Sequence, residues 1–116
     1  MPYRRFKIRC LGSGFLDHWL VEVLIPVFVA IACELVSEEH REDVHTLLRQ
    51  YGFTRIIGDV FESLSFRPEA LPRLKRDIDR RTDSYDKVRM YQYPLDGVLV
   101  ITALADKKWR KTKLHS

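Results

Sequence analysis

The chain has 116 residues, of which 46% are hydrophobic and 31% charged, and its formal net charge is +4. This length allows one domain with a single core, and the composition is that of a globular protein. The two cysteines, Cys10 and Cys33, exclude a disulfide framework and a cysteine-based metal site, and they favour a reduced, cytoplasmic compartment.

Residues 1–24 form a predicted N-terminal extension ahead of the domain. Its basic residues precede an apolar stretch at 23–33, a pattern that signal peptides share. However, Asp17 and Glu22 interrupt the approach to that stretch, which is also too short to span a bilayer. The same apolar residues are needed for the first strand of the domain. We therefore expect no membrane association.

Residues 26–34 predict that first strand, because they are apolar and β-branched and precede a helix start. Alternation divides the strand into two faces. One face carries Val27, Val29, Ile31 and Cys33, and the other carries Phe28, Ala30, Ala32 and Glu34. Because both faces are largely apolar, we expect helices to cover one of them and a partner subunit to cover the other.

The remaining elements follow in chain order. Ser37 is the predicted N-cap of a first helix that ends before Gly52, and residues 54–66 form a hairpin with Gly58-Asp59 as its turn. A second helix begins at Pro68 or only at Pro72. A strand at 86–93, a turn at 94–97 and a final apolar strand from 98 to 104 complete the domain, which spans residues 25–105.

Residues 106–116 read as a basic tail. They hold five of the basic residues against one acid, and Trp109 lies among them. A basic tail with an aromatic residue suits a phosphate backbone or another polyanion. A solvated, partly disordered terminus is an equally good interpretation of the same composition.

Four segments together resemble the family of the second CRISPR-associated protein, the small non-integrase subunit of the spacer-acquisition complex. That family has an apolar strand ending in aspartate, a charged helix closing on Tyr-Gly, a segment of the form Arg-x-Gln-x-Ser-Val-Phe-Glu, and later Asp-x-Val-x-Ile-Tyr. The matching residues here are 32–34 (ACE), 51–53 (YGF), 55–62 (RIIGDVFE) and 86–91 (DKVRMY). The resemblance covers about two thirds of the chain.

The resemblance implies an α+β, ferredoxin-like βαββαβ sandwich with an additional C-terminal strand, working as a homodimer. It also implies that the strand-one acids of two subunits share a Mg²⁺ ion for phosphodiester hydrolysis. Glu34 is then the catalytic and metal-ligand candidate, and Asp59 is a second ligand candidate. Here glutamate replaces the family's aspartate, and Cys33, Ile57 and Asp59 replace a tyrosine, a glutamine and a serine. These departures leave open whether the chain is an enzyme.

The implied partners are a CRISPR integrase subunit and the backbone of double-stranded DNA or RNA. The candidate nucleic-acid-binding residues are Arg41, Arg49, Arg55, Arg76, Arg80, Arg81, Lys107, Lys108, Arg110 and Lys111. The candidate dimer-interface residues are Phe28, Ala30, Ala32, Phe61, Val98 and Val100. Each arginine also has a local acidic residue with which it can pair, and Phe61 also suits the core.

Two other functions fit the same order of elements. One is a ribonuclease toxin of the virulence-associated type, for which cleavage is the purpose and expression harms the host cell. The other is a small-ligand regulatory domain, which needs a polar pocket between subunits and shows no salt-dependent nucleic-acid affinity. The sequence favours the adaptation subunit through the four segments described above.

Overall fold

The computed structural model describes residues 26–93 and 98–115 and shows an α+β domain with one six-stranded antiparallel sheet and two helices. Its strands are β1 (Val27–Glu34), β2 (Thr54–Ile57), β3 (Val60–Phe66), β4 (Lys87–Tyr93), β5 (Val98–Ala105) and β6 (Lys108–His115). Its helices are α1 (Glu38–Gln50) and α2 (Leu71–Arg80). The predicted N-terminal extension and the predicted turn at residues 94–97 lie outside the described residues.

The strands lie in the order β2-β3-β1-β4-β5-β6, and every neighbouring pair is antiparallel. The chain order through β4 is strand, helix, two strands, helix, strand, as the sequence predicts. This order and the placement of β1 between β3 and β4 are compatible with a ferredoxin-like fold.

The alternation of β1 confirms the two predicted faces. Val29 and Ile31 are fully buried beneath α1 and α2, in one core with Val44, Leu48 and Leu74. The opposite side of the sheet carries no helix among the described residues. We call that side the open face.

Local signals position both helices. The Ser37 side chain accepts a hydrogen bond from His40 N at 3.0 Å, and Gly52 ends α1 with a φ of +93° that favours glycine. Pro68 opens a 3₁₀ turn, Pro68–Ala70, and the regular helix α2 begins only at Leu71 with Pro72 in its first turn. Both predicted proline positions are therefore used, because a proline in a first turn sacrifices no intrahelical hydrogen bond.

The C-terminal residues differ from the prediction of one additional strand followed by a tail. They form the second strand of a hairpin, because β6 pairs with β5 along its whole length, from Val98↔His115 to Ala105↔Lys108. Asp106 and Lys107 make the two-residue turn, with φ values of 56° and 61°. The basic segment is thus the edge of the sheet.

Candidate functional site: the open face of the sheet

The strand registers place the side chains of the open face in rows. In one row Glu34 lies opposite Lys87, and Ala105 separates Lys87 from Lys108. In the next row Ala32 lies opposite Arg89, and Ala103 separates Arg89 from Arg110. Strands two apart lie about 10 Å from each other. The open face therefore holds four cations at the corners of a patch with alanines between them.

We call Lys87, Arg89, Lys108 and Arg110 the basic cluster. All four side chains are exposed. Among residues 26–93 and 98–115, no carboxylate lies within 4.0 Å of any of them. Arg89 lies over the ring of Tyr91, with its guanidinium carbon 5.6 Å from the ring centroid. The cluster is thus a concentration of positive charge that these residues do not neutralise by direct pairing.

A shallow cavity of about 430 Å³ lies over β1, β4 and β5, beside the Lys87 and Arg89 half of the cluster. Ala32, Ala103 and Ala105 line it, together with Lys87 and Arg89. Among the residues that the structure describes, Glu34 is the one acid in its lining. Because alanine side chains are short, an anionic group can approach the sheet closely between the longer cationic side chains.

The other half of the open face is apolar. The name apolar half is used below for six residues: Phe28, Leu64, Tyr91, Tyr93, Ile101 and Leu114. The register pairs Phe28 with Tyr93, and Tyr91 with Ile101. Leu64 is 80% exposed, Leu114 48% and Tyr93 44%. A continuous apolar surface of this kind is typical of an interaction site.

The structure does not bring together the two predicted metal ligands. Glu34 is exposed on the open face, whereas Asp59 binds residues of α1 on the helix side of the sheet. One Asp59 carboxylate oxygen lies 2.8 Å from His45 Nε2 and 3.6 Å from Arg41 Nε. Mg²⁺ requires several oxygen ligands around one point. Glu34 and Asp59 of one chain therefore do not form a Mg²⁺ site together, and the site shared by two copies of Glu34 stays a prediction.

Cys33, at the position of the family's tyrosine, is not a reactive thiol. Burial and then the negative charge of Asp59 raise the pKa of the Cys33 thiol from 9.0 to about 12. The thiolate is the nucleophilic form of cysteine, so Cys33 stays protonated and unreactive at neutral pH.

The predicted nucleic-acid-binding residues are spread over both layers, and several are engaged within the chain. Arg41 pairs with Glu38 at 2.6 Å, and Arg55 Nε donates to Gly58 O at 2.6 Å. Arg81 donates to Asp77 O at 2.9 Å. Lys107 donates to the carbonyl oxygens of Asp79 and Thr82. These four side chains have structural roles.

The other predicted basic residues lie in three places. Lys108 and Arg110 belong to the basic cluster on the open face. Arg49, Arg76 and Arg80 are exposed on the helices, where Arg80 lies 3.5 Å from Asp77. Lys111 extends from the helix side of β6, opposite Thr102. One continuous patch formed by all ten candidates is not present in the structure.

The predicted dimer-interface residues divide between the two sides of the sheet. Phe28, Ala30 and Ala32 lie on the open face and are half-buried. Phe61 is fully buried within the chain, where its ring contacts that of His45 edge-on at 4.8 Å. Val98 and Val100 lie on the helix side of β5, so the open face of that strand presents Leu99 and Ile101 instead. Phe61, Val98 and Val100 are therefore not open-face residues.

A second group of metal-ligating side chains consists of His40, Asp83 and Asp86, whose ligand atoms lie within 4.8 Å of one another. Asp86 is fully buried, and hydrogen bonds already occupy its carboxylate. Its oxygens accept from Val36 N and Asp83 N, both at 2.9 Å, and one lies 2.8 Å from His40 Nδ1. These donors come from the β1–α1 connection, from α1 and from the segment before β4, so the group has a structural role that links these three parts.

Sequence reasoning missed two members of the basic cluster, Lys87 and Arg89. The alternation of residues 86–93 puts Arg89 on the same face as Tyr91 and Tyr93, which was a usable signal. What the sequence did not reveal was β6, whose pairing brings Lys108 and Arg110 onto the same face.

Comparison with known proteins identifies no relative of the chain. No protein-family model, curated protein or solved structure matches the chain. None of the helices within residues 26–93 and 98–115 has the length and apolar character needed to cross a membrane. The family resemblance drawn from the four sequence segments stays a prediction.

Proposed function

We propose that the protein is a nucleic-acid-binding subunit that contacts the phosphate backbone through the basic cluster. The observation that carries this proposal is the set of four exposed cations without a described carboxylate partner, arranged around an alanine floor. Unpaired surface cations gain from binding phosphates, because binding releases the counterions that nucleic acids condense.

The composition of the cluster suits backbone contacts rather than the reading of bases. Arg89 and Arg110 each offer a planar fork that binds two phosphate oxygens, while Lys87 and Lys108 act as point charges. The alanines between them offer no side-chain donor or acceptor for a base edge. We therefore expect affinity that depends on salt and varies little with sequence.

Within this class, we propose a subunit of the CRISPR adaptation type that lays duplex DNA across its basic surface beside an integrase. The four sequence segments support this proposal, and so does the ferredoxin-like strand order from β2 to β4. Among the described strands β6 is an edge of the sheet, a place where another chain can add a strand.

We also propose that the protein works as a homodimer in which the apolar half of the open face packs against a second copy. Leu64, Tyr93 and Leu114 are the exposed side chains that support it. Two basic clusters repel each other, so the symmetric contact is expected to centre on the apolar half. Nuclease activity is not part of this proposal, because its only support is the position of Glu34 in the family resemblance.

The test compares two double variants that remove the same charge. The double variant Arg89→Ala and Arg110→Ala removes two of the four cations of the basic cluster. The double variant Arg67→Ala and Arg80→Ala removes two exposed arginines elsewhere. We expect the first to weaken binding of a fluorescently labelled DNA duplex about tenfold or more and the second to change it less than about threefold. Anisotropy titrations at one low salt concentration measure both, and circular dichroism checks folding.

Equal losses in the two double variants would mean that net charge alone drives binding, and the proposed site would be wrong. Absence of duplex binding by the wild-type protein at low salt would overturn the proposed function. Preference for RNA with cleavage of it would instead favour the toxin-type ribonuclease.

A further inference from the structure

A second concave site lies on the other side of the sheet, between α2 and β6. It is a groove of about 490 Å³, within the range of small-molecule sites. Its apolar lining consists of Pro68, Leu71, Pro72 and Trp109. The indole of Trp109 is half-buried, and the Lys75 ammonium group lies over its ring.

The same groove is lined by three cations, Lys75, Arg76 and Lys111. Asp79 is the one acid among the described lining residues, and it lies 3.1 Å from Lys107, which already neutralises it. Lys75 Nζ lies 5.5 Å from the Trp109 ring centroid. Burial, and then the positive charge of Lys111, lower the pKa of Lys75. Two like charges therefore face a groove in which no free carboxylate of the described lining residues separates them.

We propose that this groove binds a nucleotide whose phosphate draws the Lys75 ammonium from the Trp109 ring towards Lys111, so that the base takes its place against Trp109 and the neighbouring apolar residues. A phosphate relieves the repulsion between the two ammonium groups, and stacking of a base on an aromatic ring is largely independent of sequence. A base inside a duplex is already stacked on both faces, so the groove suits an unpaired nucleotide.

The position of β6 suits a nucleotide from the end of a nucleic-acid strand bound at the basic cluster. This edge strand carries Lys108 and Arg110 on the open face, and Trp109 and Lys111 on the helix side. A strand leaving the basic cluster can pass around the edge and reach the groove within a few nucleotides. This source, a single-stranded end, rests on the proposed function. A free mononucleotide offers the same chemistry without it.

Fluorescence of Trp109 tests the proposal. Trp19 is the other tryptophan of the chain, so Trp19→Phe leaves Trp109 as the sole emitter. The probes are single-stranded oligothymidylate and thymidine monophosphate, with inorganic phosphate and an oligoglutamate as anionic controls. We expect saturable quenching by oligothymidylate or by the mononucleotide, and none by phosphate at the same concentration. Lys111→Met should raise the half-saturating concentration about tenfold, as expected for loss of one charged contact.

Lys113→Met is the matched control, because Lys113 lies on the same side of β6 without lining the groove. Quenching by both nucleotide probes means a free-nucleotide site, and quenching by the oligomer alone means a strand end. Quenching by neither, equal quenching by inorganic phosphate or an oligoglutamate, or equal effects of the two lysine variants would overturn the inference. If duplex binding persists in those cases, the inference that the groove binds a nucleotide is wrong, while the proposed function stands.

Discussion

At the scale of single residues, the carboxylate of Asp86 holds together three parts of the chain. Burial of this side chain favours its neutral form, but hydrogen bonds from Val36 N, Asp83 N and the His40 ring outweigh it and lower the pKa of Asp86 below its ordinary value of 3.8. A carboxylate with its donors in place stabilises a fold, whereas donors left without it are costly.

We expect Asp86→Asn to lower the free energy of unfolding by about 3 kcal/mol at pH 7, because it removes a buried charge from its donors. The pKa of Asp86 is lower in the folded state, so its contribution is complete above pH 3.8 and is lost as the pH falls through the folded pKa. The difference from wild type, measured by urea unfolding, should therefore shrink below pH 4.

Asp83→Asn is the control, since Asp83 is exposed and its carboxylate bonds only to the nearby Tyr85 N among the described residues. It should cost less than about 1 kcal/mol. A difference between Asp86→Asn and wild type that grows below pH 4 would contradict the assigned role.

At the scale of elements, the turn of the β5–β6 hairpin contains a lysine, Lys107, in a left-handed backbone conformation. Lys107 has a φ of 61°, a conformation that favours glycine or asparagine. Its ammonium group donates to Asp79 O at 2.6 Å and to Thr82 O at 3.1 Å, at the end of α2. The side chain therefore fastens β6 to the helix layer at the cost of a strained backbone.

Two substitutions separate these effects of Lys107. Lys107→Met loses the hydrogen bonds and keeps the strain, so it should lower the free energy of unfolding by about 1 kcal/mol. Lys107→Gly also loses the bonds but regains about 1 kcal/mol from relief of the left-handed strain, so it should be close to wild type. Urea unfolding measures both, and a glycine variant less stable than the methionine variant would contradict this account.

The turn of this hairpin and strand β6 were the elements that the sequence did not predict. The residue types of Ser37 and Gly52 predict the two ends of α1, and that of Gly58 predicts the turn of the β2–β3 hairpin. These elements and β1 were therefore predictable from the sequence. Asp106 and Lys107 carry no glycine signal. In β6 polar residues lie on both faces, with only Trp109 packed on the core, so no alternation of apolar residues marks the strand.

At the scale of the whole molecule, the open face combines an apolar half with a basic half. The sequence predicted that Phe28, Ala30 and Ala32 share a face away from the helices, and the structure confirms it. It did not predict the basic cluster, because the four cations come from β4 and β6 and meet only through the register of β5. Local sequence patterns do not encode a contact between strands this far apart.

We expect the wild-type protein at micromolar concentration to have twice the chain mass of 13.8 kDa, measured by size exclusion with light scattering. Leu64→Glu should give monomers, because it places a charge in the apolar half without disturbing the core. Thr46→Glu, on the exposed side of α1, should remain a dimer. A monomeric wild type would contradict the proposed dimer.

The salt dependence of duplex binding tests the central claim, that the basic cluster contacts phosphates, most directly. For four phosphates per protomer, the logarithm of the binding constant should fall with the logarithm of the salt concentration with a slope of about −3.6 for each protomer engaged. Removing two of the four cations with Arg89→Ala and Arg110→Ala should roughly halve that slope, whatever the number of protomers engaged. A slope that the double variant leaves unchanged would show that the open face does not hold the backbone.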